Sequence, residues 1–325
     1  MRYSIIVPVF KRPDEIKDLL LSIQEQSFGD FEVLLMDGSP RVELNQVIQT
    51  YRGELDLTHF HEPGLPISEA RNQGAKIAKG QFLIFLDSDV ILPADYLGIV
   101  DMALKDGKID AYGGPDNSLP DFSPWQKAIN YSMTSLLTTG GIRGNRRHVG
   151  KYLPRGFNMG IRKEAFLSAG GYDTGFKCAE DIEFSLRVRG KGFNTALIED
   201  AYVYHKRRTS PGKFFRQVFR FGAARINLFQ KFRDQLRLVH AFPAIFSILV
   251  VIGIILVWFG FPYLALGLTF YLGIIAIHSA ILNKSILVGL LSILSTLIQF
   301  FGYGYGFIRN ALAVFILGKK EGIEL

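Results

Sequence analysis

The chain is nearly devoid of cysteine: Cys178 is the single thiol in 325 residues. One thiol excludes an intrachain disulfide and a cysteine-based zinc finger, and it fits a reducing compartment. Other devices are missing too. No Gly-x-Gly-x-x-Gly follows the first strand-like run, so the dinucleotide-binding fingerprint is absent. No Gly-x-x-x-x-Gly-Lys-Ser/Thr occurs, which removes the P-loop. No helix-turn-helix, zinc-finger or RNA-recognition signature accompanies the net charge of +7, so nucleic acid is not an expected partner. Met1-Arg2-Tyr3 leads straight into a run containing Pro8, without the pattern of a signal peptide. Charge is scarce from Ala241 onward, where only Lys284, Arg309, Lys319, Lys320, Glu321 and Glu324 carry it. Most of the basic excess therefore falls earlier, where it suits an anionic partner or membrane surface.

What is present divides the chain. The length suits about two domains. A hydrophobic content of 48% is high for a wholly soluble protein, and the surplus sits in the C-terminal third. The first part alternates strand and helix patterns. Tyr3 to Phe10, Phe31 to Met36 and Leu55 to Phe60 read as strands; Asp14 to Gln26, Glu43 to Tyr51 and Ser68 to Lys79 read as helices, the last with Ser68 as capping residue. Asp110 to Gly114, Arg155 to Arg162 and Thr195 to His205 supply further strands, and Ala179 to Arg189 a helix. Thr138 to Lys151 is rich in Gly and Arg and reads as a loop. Such alternation predicts an α/β fold with a mostly parallel sheet and flanking helices.

The most informative stretch is Gln81 to Val90. Its apolar run Phe82 to Leu86 suits a strand buried on both faces, and it ends in Asp87-Ser88-Asp89. Ligands bind outside the carboxyl ends of such strands. Two carboxylates there suit Mg²⁺ or Mn²⁺ together with the phosphates of a substrate. The structural alternative is an Asp-rich turn leading into a helix that starts near Pro93.

Several motifs in order resemble the family 2 glycosyltransferases with a GT-A (Rossmann-like) fold. They are Ile6-Val7-Pro8-Val9-Phe10, Met36-Asp37-Gly38-Ser39, Gly64 with Ala70-Arg71-Asn72 and Gly74, Phe85 to Asp89, Gly170-Gly171-Tyr172-Asp173, and Glu180-Asp181. The resemblance spans roughly residues 3–225. It implies that Pro8 and Phe10 edge the nucleoside pocket, that Asp37 accepts a hydrogen bond from base or ribose, and that Arg71 approaches the diphosphate. Asp87, Ser88 and Asp89 then form the family's Asp-x-Asp motif, with Asp89 and Asp87 as metal contacts. His205 resembles a further metal or phosphate contact in some relatives. Glu180 and Asp181 resemble the acceptor-site acidic pair, with Asp181 as the base that an inverting transfer needs. Many relatives carry two consecutive acids where this chain has Asp37 alone, and a further acid where it has Val90. The arginines between 143 and 147 are expected to close over the leaving group.

The remainder resembles membrane-bound bacterial members that build exopolysaccharide or lipid-linked glycans. Residues 1–210 are expected to form the catalytic domain, 211–240 an amphipathic interface helix, and 241–325 a transmembrane region of three to four segments. Gln217 and Arg220 are similar to the Gln-x-x-Arg-Trp motif of processive relatives, with Phe221 in place of Trp; they are taken as acceptor contacts. Phe242 to Phe261 and Tyr263 to Leu282 read as a hairpin of spans. Ile286 to Leu317 reads either as one span followed by an interfacial helix or as a second hairpin broken at Gly302-Tyr-Gly-Tyr-Gly306, and Lys319-Lys320 favour the hairpin or a re-entrant form.

These implications converge on a metal-dependent inverting transferase. A UDP- or GDP-linked sugar is the expected donor, and the acceptor a polyprenyl-linked or polysaccharide glycan. The expected setting is a multi-pass protein of the cell membrane, in contact with its lipids, with the catalytic domain cytoplasmic. The alternatives are a polyprenyl-phosphate sugar synthase, a processive polysaccharide synthase and a catalytically silent membrane scaffold.

Overall fold

The computed structural model describes residues 1–41, 44–119, 122–139 and 152–319. The arginines expected to close over the leaving group, and Lys320, lie outside the described residues. The chain forms two compact units, Met1–Leu119 with His148–Lys206, and Pro120–Arg147 with Arg207–Leu325.

The first unit opens with β1 (Tyr3–Val9), α1 (Pro13–Gln24), β2 (Phe31–Asp37), α2 (Asn45–Tyr51), β3 (Leu57–His61), α3 (Ile67–Ile77) and β4 (Phe82–Leu86). β5 (Val90–Ile91), α4 (Tyr96–Leu104), β6 (Ala111–Gly113) and β7 (Asp116–Asn117) follow. The chain then passes through α5 (Pro124–Thr134) and α6 (Leu136–Thr139) of the second unit. It returns with β8 (Asn158–Arg162), α7 (Lys163–Ala169), α8 (Glu180–Gly190), β9 (Thr195–Leu197) and β10 (Val203–His205).

Seven strands make one sheet in the order β3-β2-β1-β4-β8-β6-β9. The first four are parallel, and β8 runs antiparallel to both neighbours. Successive side chains of a strand point to opposite faces, and here both faces are covered. Ile5, Val7, Leu35, Ile84 and Leu86 pack with Ile16, Leu19 and Leu20 of α1 and with Leu97 and Val100 of α4. Ile6, Leu34, Met36, Leu83 and Phe85 pack with Ala70 and Ala75 of α3 and with Phe166 and Phe184. The unbroken apolar run of β4 follows from this double burial. α3 lies close on the sheet because residue 74 is glycine: a methyl group there would meet Ile6 Cγ2 at 2.6 Å. Ser68 does not cap α3; Pro66 precedes the helix and no side chain accepts from its first turn. A second, three-stranded sheet has the order β5-β10-β7.

The second unit continues with α9 (Pro211–Lys231), a short 3₁₀ turn (Arg233–Gln235), α10 (Leu238–Trp258), α11 (Tyr263–Asn283) and α12 (Ile286–Phe315). The last three are each long and apolar enough to cross a membrane. α12 is one uninterrupted helix, not a hairpin broken at its glycines. Those glycines permit backbone contact instead: methyl groups at Gly302 and Gly306 would strike Val218 and the Phe219 carbonyl of α9. Asn310 secures the same pair by donating to the Ala223 carbonyl at 2.6 Å. The architecture is thus an α/β, mostly parallel sheet of GT-A type with flanking helices, followed by three apolar C-terminal helices.

Candidate active site

The carboxyl ends of β1, β2, β3 and β4 lie at one edge of the sheet, since Val9 aligns with Asp37, Asp37 with His61, and Ile6 with Phe85. Asp87 to Asp89 leave β4 at that edge. The small second sheet then sets the constellation. β10 runs antiparallel to β5 with His205 opposite Val90. That register brings an imidazole beside a carboxylate 116 residues earlier in the chain: His205 Nε2 lies 3.2 Å from Asp89 Oδ1. Asp87, Asp89 and His205 each offer one donor atom, and these atoms lie within 4.8 Å of one another. Two carboxylates and an imidazole are a donor set that fits a divalent cation.

Asp89 is buried, and burial disfavours its charge. The hydrogen bond and charge of His205, joined by Arg12, outweigh burial and hold the carboxyl well below the usual carboxylate range. Arg12 Nη1 donates to Asp89 Oδ2 at 2.5 Å. His205 is oriented in turn: it stacks on Phe157, with ring centroids 5.3 Å apart, and its Nδ1 faces Asp116 Oδ2 at 3.9 Å. At that separation the carboxylate faces the imidazole without a hydrogen bond to it.

Arg71 joins this cluster to the acidic pair. Its side chain is only 3% exposed, yet it donates to Asp87 Oδ1 at 3.0 Å and to Glu180 Oε1 at 2.8 Å. The guanidinium also lies 5.1 Å from the ring centre of Tyr172. Asn72 fastens the same loop by exchanging two hydrogen bonds with the Tyr172 backbone. Burial pushes the Glu180 carboxyl above its ordinary range; Arg71 opposes the shift, and neighbouring Asp181 adds to it. Asp181 sits in the first turn of α8, where its Oδ2 accepts from the Gly156 N–H at 3.0 Å. Gly156 is pressed against Arg71, since a methyl group there would lie 2.8 Å from Nη2. The Oδ1 of Asp181 accepts from the Ile182 N–H at 2.8 Å.

The other sequence-predicted residues fall as follows. Pro8, next to last in β1, is half-buried, and Phe10 just beyond the strand is 53% exposed. Ser88 is buried between the two aspartates. Asp37 is fully buried; its Oδ1 accepts from Ser39 N–H at 2.9 Å and its Oδ2 pairs with His59 Nε2 at 3.2 Å. Gln217 and Arg220 are on α9 and belong to the second unit. Sequence reasoning missed Arg12, Gly156, Phe157 and Asp116. Only Arg12 had a signal, as a cation directly after the first strand.

The glycosyl transferase family 2 profile matches residues 4–168. The chain is 27% identical over 212 residues to an uncharacterized glycosyltransferase of Haemophilus influenzae, covering 64% of this chain and 70% of that protein. It is 29% identical over 157 residues to the succinoglycan biosynthesis protein ExoA of Rhizobium meliloti, covering 48% of this chain and 47% of ExoA. It is 35% identical over 193 residues to the poly(ribitol-phosphate) beta-N-acetylglucosaminyltransferase TarS of Staphylococcus aureus, covering 52% of this chain and 33% of TarS. Among solved structures, the mannosyltransferase PcManGT of Pyrobaculum calidifontis, in complex with GDP-Man and Mn²⁺, superposes with a TM-score of 0.53 at 19% identity, covering 68% of this chain and 62% of that one. At that identity the likeness speaks to the fold.

Proposed function

We propose that this chain, which belongs to glycosyl transferase family 2, transfers a sugar with inversion from a nucleoside-diphosphate sugar to a hydroxyl of a membrane-associated glycan. The observation that carries this reading is one continuous network. Arg71 ties the Asp87–Asp89–His205 cluster to Glu180, next to Asp181. A cation-binding centre and an acid–base pair held by one buried guanidinium match the two needs of such a transfer.

Asp87, Asp89 and His205 would hold Mg²⁺ or Mn²⁺. A divalent cation supplies positive charge to the diphosphate leaving group as the anomeric bond breaks. Arg12 adds fixed positive charge at the same edge of the sheet. Asp181 takes the proton from the acceptor hydroxyl as its oxygen attacks the anomeric carbon. Glu180, fixed by Arg71, orients the acceptor, and Pro8, Phe10, Asp37 and Ser88 contact the donor. The names of TarS and ExoA favour a polysaccharide-building role, and a polyprenyl-linked glycan suits a chain with three long apolar helices. We assign the donor as a UDP- or GDP-sugar, the setting as the cell membrane, and the side of the catalytic unit as cytoplasmic.

Asp181→Asn tests the mechanism once a donor is found by screening sugar nucleotides for Mn²⁺-dependent thermal stabilisation. Turnover should fall by about 10²–10⁴, the usual worth of a general base. Unchanged turnover would remove Asp181 from the base role. The absence of stabilisation by every UDP- or GDP-sugar would remove the donor site.

A further inference from the structure

Length and composition make α12 the longest of the three candidate spans, but its contacts give it a different course. α10 and α11 pair as an antiparallel hairpin: Gly253 sits against Leu264 and Leu268, and Phe246 and Tyr271 are 5.9 Å apart. The hairpin therefore has a near end, with the start of α10 and the end of α11, and a far turn at Gly260. α12 meets α11 at the near end, where Ser292 bonds Ser279 at 2.7 Å and Gly289 abuts Ala276 and Ala280. An antiparallel span continuing from that pair would bring Gly304 to the level of Gly267. Gly304 instead abuts Pro243, Ala244 and Ser247, no farther along α10 than Phe300, whose carbonyl accepts from Ser247 at 3.2 Å. Gly289 and Gly304 are separated by about 22 Å of helix, yet both touch the near end. α12 therefore crosses the hairpin instead of following it.

Two further observations agree. α9 runs alongside the second half of α12, from the Val218–Gly302 contact to Phe229 beside Phe315. Lys213, Arg216 and Arg220 of α9 are exposed. If α12 spanned, α9 would carry these cations through hydrocarbon, at about 2.5–3.5 kcal/mol each near the centre. The buried face of α12 is also polar, with Ser292, Ser295, Thr296, Gln299 and Asn310, and Ser295 donates to the Ala128 carbonyl of α5.

We propose that α12 is not a third span. It lies with α9 in the plane of one membrane interface, across the near end of a two-helix anchor. Its exposed stripe of Leu287, Leu290, Leu294, Tyr305, Leu312 and Phe315 docks onto the lipids of a single leaflet. α10 and α11 also expose long apolar surfaces, which makes lipid its occupant, and the basic residues of α9 face the headgroups. The inference rests on α10 and α11 being membrane spans and not on the sugar-transfer reading.

Single-cysteine variants of the full chain in membrane vesicles, in a Cys178→Ser background, provide the test. They are labelled from each side with a membrane-impermeant maleimide. Lys284→Cys and Leu317→Cys should label from the same side, and Phe261→Cys from the other. Labelling of Leu317→Cys together with Phe261→Cys would overturn the proposal, as would all three labelling from one side. Bimane attached at Leu290→Cys and at Tyr305→Cys should be quenched alike by lipids brominated at one shallow depth, whereas a spanning helix would carry position 305 toward the bilayer centre. Widely different quenching profiles would equally refute the in-plane course. None of these readouts depends on transfer activity.

Discussion

Arg71→Met removes the guanidinium that links the two halves of the site while keeping most of the buried stem. The two carboxylates it leaves behind are not equivalent. The Asp87 side chain is 37% exposed, so water takes over much of its partner's role and its loss costs about 1 kcal/mol or less. The Glu180 side chain is 18% exposed and already disfavours its charge. Removing one member of a buried pair costs about 3–5 kcal/mol, because the other charge is left uncompensated. For a unit of this size, that lowers the melting temperature by roughly 6–20 °C, at 2–4 °C per kcal/mol. The second substitution carries the diagnosis. Glu180→Gln in the Arg71→Met background removes the stranded charge, so the double variant should melt above Arg71→Met alone. The coupling should fall in the range of about 0.5–3 kcal/mol found for residues in contact. Arg71→Lys should not rescue fully, since one ammonium cannot reproduce a fork that reaches two carboxylates. Thermal melts of the detergent-solubilised chain compare the parent, Arg71→Met, Glu180→Gln, the double variant and Arg71→Lys. If Arg71→Met and Glu180→Gln act additively, Arg71 is not the link between the two halves.

Other consequences are as direct. Glu180 has a folded-state pKa raised above its ordinary 4.5, so its contribution to stability is greatest below that value and is lost as pH rises through the folded-state pKa. The stability of the parent relative to Glu180→Gln should therefore fall from acid toward neutral pH in urea titrations; a rise would reverse the sign of the shift. His205→Ala removes one cation donor and the bond that holds Asp89 down, so Mn²⁺-dependent stabilisation by a sugar nucleotide should disappear. Because the Asp89 pKa is depressed, its contribution is present above the ordinary carboxylate range and lost as pH falls. The deficit of His205→Ala should accordingly shrink in acid, and a pH-independent deficit would contradict the coupling. A methyl group at Gly222 would lie 2.0 Å from the Tyr303 carbonyl, whereas Gly267 has open space around it. Gly222→Leu should destabilise the α9–α12 pair by about 1–3 kcal/mol or more and speed proteolysis within α9, while Gly267→Leu should do neither.

The parallel half of the sheet was legible because its signal is local. Phe82 to Leu86 is apolar throughout since both faces are buried, and the Asp-x-Asp motif follows where such a strand must end. Asp87 and Asp89 were legible from the strand end itself, but His205 only by resemblance, because a register between two short strands, β5 and β10, brings it to them. Asp116 was hidden for the same reason, since β7 reaches the cluster by pairing with β10; Phe157 was hidden because its role is a ring contact with His205 from far along the chain. The course of α12 was hidden more deeply. Hydropathy counts apolar side chains without saying what they touch, and the glycines at 302, 304 and 306 look like a break in sequence. In the fold they are contact points with α9 and α10.

The carboxyls of Asp89 and Glu180 are shifted in opposite directions, and the causes lie in how each is bonded. Asp89 and Glu180 are both largely withdrawn from solvent, and burial alone would raise both. Asp89 escapes because an imidazole and a guanidinium bond its two oxygens separately. Glu180 does not escape, because its single guanidinium is shared with Asp87 and a second carboxylate stands next to it in sequence. A carboxylate kept anionic suits electrostatic work, whether the counter-charge is Arg12 or a cation. Glu180, reluctant to ionise and tied to Arg71, suits a positioning place beside Asp181. Were Arg71 devoted wholly to Glu180, Glu180 would drop toward Asp89 and the distinction would fade. The sharing of one buried arginine between Asp87 and Glu180 therefore keeps the two ends of the site electrostatically different while holding them together.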